Sequence, residues 1–141
     1  MGAACVLTLA LSLGSGYAGE GGKPSKWWQN PICKNKVGLS HAQTTEIERI
    51  FQSVRDELRA EKAELERQEA VLARLLSDRD ADEAVVVRTI DRVEAARSAL
   101  AKTRTLMLYR MHRLLSPEQR MKLEAYEREQ ARAADTARPK S

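Results

Sequence analysis

The sequence predicts an all-α protein, a long antiparallel helical hairpin closed by a short C-terminal hook helix. Three observations carry this. No glycine or proline falls between Leu39 and Ser116, so nothing in that stretch breaks a helix. Apolar residues recur there at heptad spacing on both sides of one acidic interruption. The pattern Leu-Ser-x-x-Gln occurs twice, at Leu39–Gln43 and Leu115–Gln119, and each copy is a helix start. The composition agrees: 43% hydrophobic and 31% charged residues with only 4% aromatic suit long exposed helices better than a thick globular core.

The first eighteen residues, MGAACVLTLALSLGSGYA, combine an apolar run from Ala3 to Leu13 with small residues before a cleavage point after Ala18. This is the pattern of an export signal peptide over 1–18. A run of that length, about 16 Å as a helix, is far short of a bilayer core of about 30 Å. Residues 19–38, rich in Gly, Pro, Lys and Asn, read as an extended arm. Trp27 and Trp28 within it are costly to leave in water, and are expected to pack on the helical body or on a second chain. Without the leader Cys33 is the one cysteine remaining, either an incidental free thiol or half of a disulfide between two chains.

The helical-hairpin domain is expected over 39–132, with a disordered tail over 133–141. In its first helix the seam reads Ile47, Phe51, Val54, Leu58, Leu65, Leu72 and Leu75, with Glu61 and Gln68 as polar members. The acidic segment SDRDADEA then breaks the pattern, and Asp80 or Asp82 caps a second helix. There the expected seam is Val86, Ile90, Val93, Leu100, Met107, Met111 and Leu114, with Arg97 and Arg104 as polar members. Pairing the seams antiparallel sets Ile47 against Leu114, Val54 against Met107 and Leu75 against Val86. It also sets Glu61 within a layer of Arg97 and Arg104, which predicts a partly buried ion pair that fixes register. A two-helix layer buries only one stripe per helix. A third helix from Pro117 to about Ala133, the tryptophan arm or a second copy must cover it, and a homodimer is expected.

In both repeats the serine is an N-cap and the glutamine is its partner three residues on: Ser40 with Gln43, and Ser116 with Gln119. Leu39 and Leu115 precede the caps, and Pro117 occupies the first helical position, where its missing N–H costs nothing. The register brings both motifs to the open end of the hairpin, where the chain bends twice.

GLSHAQ and LLSPEQ resemble the paired LTxxQ motifs of the Spy/CpxP group of periplasmic proteins, with serine in place of threonine. That group includes the zinc-resistance-associated proteins and the CnrX-like periplasmic heavy-metal sensors. The similarity covers about residues 27–130, including KWWQNP and DRVEAARSALAKTRTLML. It implies a cradle-like helical dimer in the periplasm. It also implies ATP-independent chaperone activity toward unfolded or misassembled envelope proteins, or sensing of envelope or metal stress through a membrane-bound sensor or anti-sigma factor.

The net charge of +4 is uneven: from Ala95 to Leu115 there are Arg97, Lys102, Arg104, Arg110 and Arg113 and no acidic residue. This stripe, with Leu106, matches in kind the client-binding face that the resemblance implies. Export and the absence of interleaved stacking aromatics argue against nucleic acid. As metal ligands the chain offers His41, His112, Met107 and Met111, for Zn, Cu or Ni ions. Both methionines fall on the seam, where Met is usually core filler, and the histidines are expected on the surface. No nucleophile, base and acid converge and no phosphate-binding glycine loop is present, so an enzyme is not expected and no cofactor is required.

Overall fold

The computed structural model describes residues 26–137; the expected signal peptide, the first residues of the arm and the last of the tail lie outside them. A single 3₁₀ turn, Trp27–Gln29, leads into α1 (Pro31–Val37), α2 (His41–Ser77), α3 (Glu83–His112) and α4 (Pro117–Ala137). The described residues form no strand. α2 and α3 make the antiparallel hairpin, α1 packs against α4, and the 3₁₀ turn packs against α1 and α2.

Local chemistry sets each boundary. The Ser40 hydroxyl accepts the Gln43 N–H while the Gln43 side chain accepts the Ser40 N–H, a complete capping box. Ser116 and Gln119 repeat it at the start of α4. α2 ends at Asp78, whose carboxylate folds back to accept the Asp80 N–H, and the Asp82 carboxylate caps α3 by accepting the Ala84 N–H.

Two domain expectations need correction. The arm is helical where it is described, because Asn30 caps α1 by accepting the N–H groups of Ile32 and Cys33 and Pro31 takes the first helical position. Gly38 then ends the helix in the left-handed region, φ 75°, which lets the chain turn directly into α2. The tail expected to be disordered from residue 133 is instead the last turns of α4 as far as Ala137.

The core lies at the open end of the hairpin. Trp28, Ile47, Phe51, Met107 and Met111 meet there with Cys33 and Val37 of α1 and Leu123 and Tyr126 of α4. Trp27 and Trp28 pack edge to face with ring centroids 5.7 Å apart, and Trp28 lies 5.4 Å from Phe51, so the two indoles cover the helical body. Cys33 is fully buried in this core, which removes it from the surface and overturns the reading as an interchain disulfide.

The seam of α3 differs from its expected course. Thr89, Val93, Leu100, Thr103 and Met107 are buried, whereas Ile90 is 42% exposed and Arg97 and Arg104 are exposed. Every second seam position is thus one residue earlier, at Thr89, Ala96 and Thr103. Small side chains fit between two closely packed helices, and Thr89 satisfies its buried hydroxyl by donating to the Val85 carbonyl at 2.9 Å. An arginine at any of these places would have to be taken out of water between the two helices.

Candidate functional site

The two repeated motifs meet at the hairpin's open end. Gln43 Nε2 donates to Gln119 Oε1 at 2.8 Å, and Gln119 Nε2 donates to Gln43 Oε1 at 3.0 Å. Each amide nitrogen also donates to a carbonyl just ahead of the other motif, Gln43 to Leu114 and Gln119 to Gly38. The pair locks both bends together.

A second fastening holds the tryptophan segment. The Glu48 carboxylate accepts from Lys26 Nζ at 3.0 Å, Trp28 Nε1 at 2.6 Å, Gln29 Nε2 at 2.8 Å and Gln52 Nε2 at 2.7 Å. Burial opposes its ionisation, but the donors from Gln52, Trp28 and Lys26 outweigh it and hold the carboxyl at about 2.

Farther along the hairpin, a groove of about 350 Å³ runs between α2 and α3. Val54, Ala99 and Leu106 form its apolar lining, Glu57 and Glu61 its α2 rim, and Lys102 and Arg110 its α3 rim. Thr103 donates its hydroxyl to Glu61 Oε1 at 3.0 Å, while Glu61 Oε2 is buried and has no partner among the described residues. That oxygen has almost no contact with solvent, so it takes a further donor only when the Glu61 side chain turns toward the groove.

The expected ion pairs of Glu61 do not form. Arg97 instead binds Glu94 of its own helix at 2.5 Å and Glu69 of α2 at 3.2 Å, and Arg104 makes no ion pair among the described residues. Both arginines stand on the flank of α3, out of reach of the seam acid, because the seam passes through Thr103.

The stripe expected as a client face therefore divides. At 100° per residue, Lys102, Leu106 and Arg110 are at least about 120° around the helix from Arg97 and Arg104. The first three border the groove, with Leu106 43% exposed, and Arg113 continues along their side, its guanidinium 5.6 Å from the ring of the exposed Tyr109. Sequence reasoning missed Val54, Glu57, Ala99 and Thr103 as groove residues. The heptad position of Thr103 was the available signal.

The candidate metal ligands have separate surroundings. Met107 and Met111 are buried among the apolar residues of the core, and His41 is exposed on the first turn of α2. His112 is not a surface residue: it packs against Trp27 with centroids 6.4 Å apart, and its buried Nε2 has no partner among the described residues. Burial and the Arg120 charge depress its pKa against the opposing pull of Glu124. The four do not fit one metal centre, since two thioethers sit inside the core and one imidazole outside it. Among the described residues no three His, Cys, Asp or Glu side chains are gathered to hold an ion, and no helix there is long and apolar enough to cross a membrane.

A bent helical hairpin whose two helix starts are cross-linked through paired Leu-Ser-x-x-Gln motifs defines the class of protein. The heavy-metal resistance family matches residues 1–122, and the chain belongs to that family, which is Spy/CpxP-like. No curated protein and no solved structure matches it.

Proposed function

We propose that the protein is a periplasmic, ATP-independent chaperone that holds unfolded or misassembled envelope proteins in the α2–α3 groove. The observation that carries this is the groove itself: Val54, Ala99 and Leu106 between two carboxylates, Glu57 and Glu61, and two cations, Lys102 and Arg110. Apolar surface binds exposed client side chains without sequence preference. Lys102 and Arg110 attract acidic segments, and the Glu57 and Glu61 charges attract basic ones. The groove is open to solvent, which favours weak, reversible capture. Substoichiometric to stoichiometric amounts of the protein should suppress aggregation of a reduced or heat-unfolded client without nucleotide, and Leu106→Asp should abolish this while leaving the helix content unchanged. Wild-type failure to suppress aggregation would remove the reading.

Membership of the heavy-metal resistance family favours a second reading, a metal-responsive sensor or sequestration protein acting on a membrane-bound regulator. Calorimetric titration with Zn, Cu and Ni ions tests it: a saturable site in the purified protein supports it, and heats of dilution alone exclude it.

A further inference from the structure

The two rims of the α2–α3 groove carry opposite charge, and this sets what shape of chain fits between them. On α3, Arg92, Ala99, Lys102, Leu106 and Arg110 fall within an arc of about 80° and are all exposed, so cations alternate with small or apolar side chains along that flank. On α2, Glu57 and Glu61, one turn apart, stand across the groove from them. Glu57, Lys102 and Arg110 make no ion pair among the described residues, and the bond that Glu61 accepts comes from the neutral Thr103 hydroxyl. Two acids and two bases therefore border one groove without neutralising each other.

An extended segment laid in the groove points its side chains alternately at the floor and at solvent, and turns only its backbone amides toward the rims. Amides do not match rims of fixed and opposite sign. A helix laid there meets Val54, Ala99 and Leu106 with one apolar stripe, and the positions on either side of that stripe project over the rims. Its charges recur about every 6 Å along each flank, which is the rise between Glu57 and Glu61. Acidic side chains on one flank reach Arg92, Lys102 and Arg110, and basic ones on the other reach Glu57 and Glu61. From Arg92 to Arg110 the basic rim is about 27 Å long, the length of a helix of about 18 residues. Ala99 lets the incoming backbone approach closely midway, and the visiting helix covers a side of the hairpin that a two-helix layer leaves open.

We infer that the groove takes its clients as amphipathic helices, laid lengthwise as a third helix, with an acidic flank over α3 and a basic flank over α2. This rests on the groove being the binding site proposed above and names the class of segment it accepts.

Fluorescence anisotropy with labelled synthetic peptides of about three heptads tests it. The first probe carries an apolar stripe with glutamate on one flank and lysine on the other. The second carries lysine on both flanks, and the third is the first with proline at its centre. The two-signed probe should bind about tenfold or more tightly than either of the others, and its helical circular dichroism should rise on binding. Lys102→Glu/Arg110→Glu, both exposed and expected to keep the wild-type helix signal, should weaken the two-signed probe by about tenfold and strengthen the all-lysine one. Equal binding of the proline-broken probe, no gain of helix, or an unchanged preference in the reversed-rim variant would overturn the inference. Aggregation assays separate it from the reading it rests on. A protein that protects clients but does not discriminate among the three peptides keeps the chaperone function and loses the helix preference. One that selects the two-signed helix and protects no client keeps the helix site and loses the chaperone function.

Discussion

Gln43 and Gln119 hydrogen-bond each other through both side-chain amides, and each amide makes two further bonds, one accepted from its own cap N–H and one donated to a carbonyl ahead of the other motif. All four hydrogen-bonding positions of each amide are thereby filled. The two residues are 76 positions apart, which is the offset of the repeated motifs, so the repetition builds one pseudo-symmetric clasp.

Replacing either glutamine with alanine leaves the other amide short of a donor and an acceptor while removing one capping box. Each single variant should lose about 1–3 kcal/mol. The double variant should lose clearly less than the sum, because both singles break the same reciprocal bonds. Urea unfolding followed by circular dichroism checks the coupling.

Glu48 makes the tryptophan segment acid-sensitive. Its folded-state pKa, about 2, lies below the usual 4.5, so the unfolded chain binds more protons in between. The stability it provides is therefore complete above about 4.5 and falls as pH drops toward 2. Trp fluorescence should shift to the red over that window in the wild type. Glu48→Gln should start less stable by about 2 kcal/mol at neutral pH and show a flatter profile across it.

The thiol of Cys33 is pushed up to about 11, chiefly by burial and further by the Glu127 carboxylate. Ellman's reagent at pH 8 should react with it only as fast as the α1–α4 contact opens, and at full speed in denaturant. Rapid labelling of the native protein would contradict the placement of α1.

Thr103→Val leaves Glu61 without its seam donor and should destabilise by about 1–3 kcal/mol. Glu61→Leu should be neutral or stabilising, since it puts an apolar side chain on a seam in place of an underbonded carboxylate. The pair of thermal melts distinguishes a carboxylate kept for binding from one kept for stability.

Gly38→Ala meets no atom within 4 Å, so space is not the issue. Its φ of 75° costs an L-residue about 1–2 kcal/mol, and the melting temperature should fall accordingly.

The helices and their starts were legible because caps are local: Ser40, Asp82 and Ser116 act on residues two or three positions away. The α3 seam was harder to read. Two heptad stripes interleave there, and a hydrophobic pattern favours Ile90 over Thr89 although packing selects the smaller residue. Helix α1 carried readable signals, Asn30 before Pro31 and Gly38 after Val37, that the surrounding Gly, Lys and Asn obscured. The hub at Glu48 left little sequence trace: Gln52 is one turn on in the same helix, but the other three donors come from a segment about twenty residues away with no periodic relation to it. The groove likewise depends on which side of α3 faces α2, and that followed from the seam.

The position of the core has a mechanical consequence. Tryptophans, α1 and α4 all reinforce the open end, whereas toward the acidic turn Leu65, Leu72 and Leu75 are only half-buried and Leu76 is 68% exposed. Stiffness therefore grades along the hairpin, and in the isolated chain the turn end opens first, its amides exchanging with solvent well before those beside Met111. The clasped end behaves as a fixed handle, and the turn end, where only residues 78–82 join the two helices, as the part of the hairpin that yields first.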